Sequence, residues 1–190
     1  MIKDQLYKEL KSVSALRTSR QKFANRVLED INLVEPLIDL LFINDKKISP
    51  RAAWILEFAF KDNYKIILPY FDIFISNISE LKLDSSIRPC AKIIEILIDL
   101  YYNKMNPEIR QTLTQTHKSQ ITETCFDWMI TEQKVAVKAY SMNILYDLGT
   151  EYNWIHPELR TIMQRDYTSQ TAGYKARTRH ILEKIKKRNS

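Results

Sequence analysis

The sequence holds only two glycines, Gly149 and Gly173, in 190 residues. Sheet-rich folds of this size draw on many more for hairpins and bulges, whereas helices need few. The same scarcity removes glycine-rich phosphate loops and the Gly-x-Ser-x-Gly nucleophile elbow. Cysteine is also scarce: Cys90 and Cys125 lie in helical apolar patterns and form no Cys-x-x-Cys pair. They read as small buried hydrophobes in a reducing, cytoplasmic setting. His117, His156 and His180 are too far apart for a metal-ligand spacing, so neither metal nor cofactor is expected. No apolar run approaches the roughly 20 residues that span a bilayer. Even Ile93 to Tyr102 carries Glu95 and Asp99, and MIKDQLYKEL at the start lacks the apolar core of a secretory signal. A water-soluble chain with no membrane association is expected.

What is present is ordinary for a folded protein: hydrophobic residues make up 45% and charged residues 27%. Disorder is expected only at the ends. One domain is enough for a chain of this length. The formal charge of +6 is unevenly placed. From Arg160 to Ser190 nine Lys and Arg face two acids, for a net +7, which leaves −1 on residues 1 to 159. The protein is near neutral with a basic end.

Apolar residues recur at helical spacing almost throughout, as in Leu33, Leu37, Leu40 and Leu41, then Ala52, Ile55, Leu56 and Ala59. Brief polar breaks separate them at 44–49, 61–63, 79–85, 103–106, 149–155 and 168–173. Connections this short favour antiparallel neighbours. Pro50, Pro107 and Pro157 suit first turns of helices, Ser49 and Asn106 are the expected caps, and Pro69 should kink its segment or mark where the helix starts. The resulting division is N-terminal helices over 1–30 and pairs near 31–61, 63–102, 106–149 and 156–187.

The second helices of these pairs align with one another. Ala52 to Glu57 matches Cys90 to Glu95, and Lys138 to Leu145 matches Lys175 to Leu182. Ala53, Ala91, Ala139 and Ala176 follow at spacings of 38, 48 and 37, near the period of helical-pair solenoids, and should allow close helix approach. The longer gap comes from Tyr102 to Arg110, a phrase repeated from Tyr152 to Arg160 with five of nine positions identical. It reads as a helix-entry device, or as a shared binding role for Arg110 and Arg160.

With Val34-Glu35-Pro36-Leu37-Ile38-Asp39-Leu40-Leu41, then Asp45, Pro50-Arg51-Ala52-Ala53 and Leu56, the chain resembles a HEAT repeat. The resemblance extends over roughly residues 31 to 187 as degenerate copies of HEAT or armadillo type. It implies an all-α fold, a right-handed α-α superhelix of antiparallel helix pairs, and a scaffold that grips partners on a concave face.

Positions outside the apolar stripe align in rows: Trp54, Lys92, Tyr140 and Arg177; Glu57, Glu95, Asn143 and His180; Lys61, Asp99, Asp147 and Lys184. Rows three and four residues apart share one helix face, expected to line the inner surface. The charges on this face cancel, with acids on the middle helices and bases on the last, which does not suit a phosphate-tracking groove. The first two rows are the candidate contact residues for a protein or peptide in a non-enzymatic binding module. The alternative is nucleic-acid binding by Lys175, Arg177, Arg179, Lys186 and Lys187, set against an ordinary basic helix end that offsets the dipole. HEAT-like stacks include DNA alkylation glycosylases, and Trp54, Trp128, Asp127 and Glu57 are the residues that would imitate their parts. No run of residues reproduces that site.

Overall fold

A computed structural model describes residues 2–188. The expectation of disordered ends touches Met1, Asn189 and Ser190, which lie outside that range. The described residues form eleven α-helices and three short 3-10 segments, with no strand, so the all-α reading holds. None of these helices is long and apolar enough to cross a membrane. The chain divides between Ile93 and Ile94, inside one helix, into two compact units.

In the first unit α1 (Ile2–Leu10) and α2 (Arg17–Glu29) precede α3 (Val34–Phe42) and α4 (Ile48–Asp62). The apolar run that marks α3 is its buried face: Val34, Leu37, Ile38, Leu40 and Leu41 are all withdrawn from solvent. Each such side chain contributes about 1.5–3 kcal/mol by burial, which is why this nine-residue helix persists. It packs against α4, and α2 packs against α4 as well. Asp45 closes the α3–α4 turn, its Oδ1 accepting from the Lys47 and Ile48 amides at 2.8 Å each. Ser49, expected as the cap, is instead buried inside α4 and donates its hydroxyl to the Leu40 carbonyl. α4 already starts at Ile48, with Lys47 in the cap position and no side-chain cap, so the amides of the turn into it are met by Asp45 rather than by Ser49. Asn44 adopts a left-handed φ of 55° and bridges forward, donating to the Glu80 carbonyl and accepting from the Lys82 amide. Asparagine suits both tasks, having a short polar side chain and tolerance of that conformation.

After α4, a 3-10 segment (Tyr64–Tyr70) contains Pro69 and runs into α5 (Phe71–Asn77). Proline therefore marks the entry to the helix, the second of its two expected roles. α6 (Asp84–Tyr102) follows.

In the second unit the later part of α6 is followed by α7 (Pro107–Thr112), α8 (Gln115–Ile130), α9 (Val135–Leu148), α10 (Ile155–Asp166) and α11 (Ala172–Arg188). The residues that lengthen the repeat spacing thus fold as α7. Asn106 is its cap, accepting from the Ile109 amide at 3.1 Å with Pro107 in the first helical position. Thr114 and His117 form a reciprocal capping box on α8. α9 packs against α8, α10 and α11 and supplies the centre of this core through Val137, Met142, Ile144, Leu145 and Leu148.

The repeated Tyr-Asn-x-x-x-Pro-Glu phrase does not fold the same way twice. Pro157 is the third residue of α10 rather than the first, and the residue in the position of Asn106 is His156, which is buried and caps nothing. Its ring stacks on Tyr146, and its Nε2 lies 2.8 Å from the Tyr146 carbonyl oxygen. Both phrases bury their aliphatic residue, Ile109 or Leu159.

Candidate functional site

The first unit carries Trp54, Glu57, Lys61 and Lys92 of the aligned rows. α4 does not present Glu57 to solvent: its side chain is 2% exposed. Lys61, one turn on, donates to Oε1, and Arg88 of α6 donates to Oε2 at 3.1 Å. A carboxylate so enclosed needs two cations to offset its lost hydration, so Glu57 is an internal strut and not an open contact. Burial, then the Glu57 charge, pushes the Cys90 thiol well above its ordinary range, which makes that buried cysteine inert. Trp54 is half-buried with the Arg20 guanidinium 5.8 Å from its ring centroid, so one ring face is already covered. Lys92 is half-buried.

In the second unit the rows join through side chains. Asn143 donates to Glu95 and accepts from Arg177 Nη1 at 3.3 Å, linking α6, α9 and α11. One turn along, Asn103 donates to Asp99 at 3.0 Å and to Asp147 at 3.3 Å. Burial, together with the nearby Asp99 and Glu95 charges, raises the Asp147 carboxyl to about 6, against the opposing pull of Lys184 and Asn103. Lys184 itself lies over the Tyr146 ring at 4.9 Å. Tyr140 is half-buried and His180 is exposed. Arg177 and His180 edge an open cavity of about 420 Å³ whose floor is Val135, Ala136, Ala139, Gly173 and Ala176. Ala53 and Ala91 are fully buried, as close helix approach requires, but Ala176 is exposed. Its small size opens this cavity rather than closing a helix contact.

The cations of α11 are largely engaged within the chain. Lys175 donates to the Thr168 carbonyl at 3.1 Å, Arg179 to the Tyr167 hydroxyl at 2.8 Å, and Arg188 to the Thr150 carbonyl at 3.3 Å. Lys186 and Lys187 are exposed in the last turn, where cations offset the helix dipole. Of the residues set beside the glycosylase parts, Trp128 is 5% exposed and belongs to the core, while Asp127 is exposed.

A more organised feature lies in the polar stretch at the start of α8. Lys118, in α8, is 2% exposed, yet its ammonium finds three partners: the Tyr101 hydroxyl at 3.0 Å and the two Glu151 oxygens at 2.9 and 2.8 Å. Its Nζ also stands 4.5 Å from the Tyr101 ring centroid and about 6 Å from those of Tyr102 and Tyr152. Tyr102 donates to Glu151 at 2.6 Å, Gln115 donates to it at 3.1 Å, and Tyr152 donates to Gln115. Burial by itself would raise Glu151, but hydrogen bonds from Lys118, Tyr102 and Gln115 bring it down to about 2. Burial likewise disfavours the Lys118 charge, and the bonds to Glu151 and Tyr101 outweigh it, so its pKa is raised. An ammonium held this way is no nucleophile; it orients the aromatic residues around it.

On the edge of this network Tyr152 and Trp154 line a cavity of about 350 Å³ with Gln115, Ser119, Thr122 and Glu123. Trp154 is 58% exposed, with its ring stacked on Phe126 at 5.6 Å between centroids. The only signal in the sequence was the repeated phrase around Trp154, which reads as helix-entry chemistry.

Comparison with curated proteins and with solved structures gives no match. Among protein families, residues 6–185 match the HEAT repeat domain, a span that covers both units. With packed helix pairs in each unit and a match over nearly the whole sequence, the chain belongs to the HEAT repeat domain family.

Proposed function

We propose that this protein is a non-enzymatic helical-repeat module that binds a protein or peptide, with a partner side chain entering the Trp154 cavity. The observation that carries the reading is the exposure of Trp154 beside a rigid support. A tryptophan 58% open to solvent, backed by Phe126, stands next to Tyr152, which the Lys118–Glu151 network holds through Gln115. Preorganised aromatic residues of this kind carry a large share of binding energy at protein interfaces, because little side-chain entropy remains to be lost. Glu123 on the rim and the open face of an indole together suit a lysine or arginine side chain of the partner. Tyr140, Asn143, Arg177 and His180 offer a second contact region on α9 and α11 of the second unit. The family supports a repeat scaffold.

Affinity capture from native extract, with and without nuclease, tests the reading. A protein retained after nuclease treatment and lost from a Trp154→Ala bait supports it. Material released by nuclease points to the nucleic-acid alternative through Lys175, Arg177, Arg179, Lys186 and Lys187, whose binding should weaken steeply with salt.

A further inference from the structure

Positive charge also gathers at a cavity in the first unit, away from the basic C-terminal helix. Tyr7 and Lys11, from α1 and the turn after it, meet Asp45, Lys46 and Lys47 of the α3–α4 turn and Ile48 and Arg51 of α4 around a cavity of about 680 Å³. Four cations and one carboxylate line it. The carboxylate offsets one of them: Asp45 accepts the Ile48 and Lys47 amides at 2.8 Å, and these bonds, with the Tyr7 hydroxyl and the Lys11 charge, hold its carboxyl below the usual range, so it stays ionised and the lining keeps three positive charges in excess. Salt bridges in this unit join Lys3 to Asp39, Arg26 to Glu9, and Lys61 and Arg88 to Glu57. None of them uses Lys11, Lys46, Lys47 or Arg51. Lys11 stands 5.0 Å from the Tyr7 ring centroid, which fixes one ammonium at the cavity wall.

We propose that this cavity is an anion site for a small phosphate monoester, with Lys11, Lys46, Lys47 and Arg51 surrounding the phosphate and Tyr7 and Ile48 forming the wall for its organic part. Four cations around one cavity supply the attraction. The amides at the start of α4 contribute little, because Asp45 already occupies two of them. Arg51 is half-buried and has a planar fork that matches phosphate oxygens, while the lysines supply charge with less geometric demand. The volume lies within the usual range of small-molecule pockets, about 300–1,000 Å³. Ile48 is buried, and the Tyr7 ring is half-buried, so the wall is partly apolar. This site shares no residue with the Trp154 cavity and stands or falls separately from it.

The test is an amide NMR titration of the full chain with inorganic phosphate and with glycerol phosphate. The expected result is saturable shifts confined to the Tyr7–Lys11 and Asp45–Arg51 segments, with a dissociation constant of about 1 mM or tighter. Affinity should rise from pH 5 to pH 8, since the second phosphate ionisation lies near 6 and adds a charge. Sulfate, already doubly charged, should show little such rise. Arg51→Gln should weaken binding about tenfold, and the exposed Lys46→Gln should weaken it by less without disturbing the fold. Lys186→Gln with Lys187→Gln should leave binding unchanged. No saturable shift up to about 10 mM, well above that constant, overturns the proposal. So does equal binding by Arg51→Gln with an intact spectrum, or binding only of a 5′-phosphorylated oligonucleotide with a steep salt dependence.

Discussion

Lys118 and Glu151 are joined through both carboxylate oxygens, at 2.9 and 2.8 Å, with the lysine buried and the glutamate at the rim. The pair ties α8 to the turn before α10. It also fixes the ring positions of three tyrosines, so its loss is felt twice, as a buried polar group without a partner and as a loosened cavity wall.

Breaking it from one side should therefore be costly. Glu151→Ala leaves the buried ammonium with only the Tyr101 hydroxyl and is expected to lower stability by about 3 kcal/mol. Lys118→Met, which removes the charge and keeps the packing, should cost less. Urea unfolding of both variants checks the order.

The same carboxyl sets a pH dependence. Glu151 ionises at about 2 in the folded chain and near 4.5 without its partners, so its contribution is complete above 4.5 and is lost as pH falls toward 2. Wild type should lose more stability than Glu151→Gln over that interval, as followed by denaturation at stepped pH.

Asp147 has the opposite sign. Its carboxyl is raised to about 6 from 3.8, so the native state takes up a proton more readily than the unfolded chain. Its destabilising effect is fully present above 6 and is relieved as pH falls toward 3.8. Asp147→Asn is expected to be more stable than wild type at pH 7, by about 1 kcal/mol, with the difference vanishing near pH 4. Parallel thermal melts at the two pH values measure it.

Gly149 has an ordinary negative φ, and its need for glycine comes from His156. A Cβ there would lie 2.2 Å from Cδ2 and 2.4 Å from Nε2 of that ring. The ring cannot swing away cheaply, since it stacks on Tyr146 and meets the Tyr146 carbonyl. Gly149→Ala should destabilise by about 1–3 kcal/mol, the range for overpacking, and His156→Ala should relieve part of that cost in a double-mutant cycle.

Local and periodic features were the readable part of this fold. The apolar spacing of α3 and α4 and the cap at Asn106 act within a few residues, so the sequence displays them directly. Ser49 has the right residue type for a cap, but α4 already begins at Ile48, and only the turn geometry shows that Asp45 meets the amides there. Glu57 reads as a surface acid until Arg88, 31 residues on, is brought against it. Lys118 sits in the polar stretch Gln115-Thr116-His117-Lys118-Ser119-Gln120, which looks solvated, and its partners are 17 and 33 residues away. The Trp154 cavity needed that tertiary arrangement before its wall existed. The basic cavity of the first unit leaves no mark in the charge count, because Lys11 and the Lys46–Arg51 segment meet only in the fold, while the excess charge in the sequence sits on the C-terminal helix, where cations meet carbonyls and hydroxyls.

The most direct measurement is the affinity of Trp154→Ala for the captured partner, by calorimetry against wild type, with circular dichroism confirming an unchanged helical fold. An anchoring tryptophan requires at least a tenfold loss on truncation, about 1.4 kcal/mol. An affinity equal to that of wild type would contradict it.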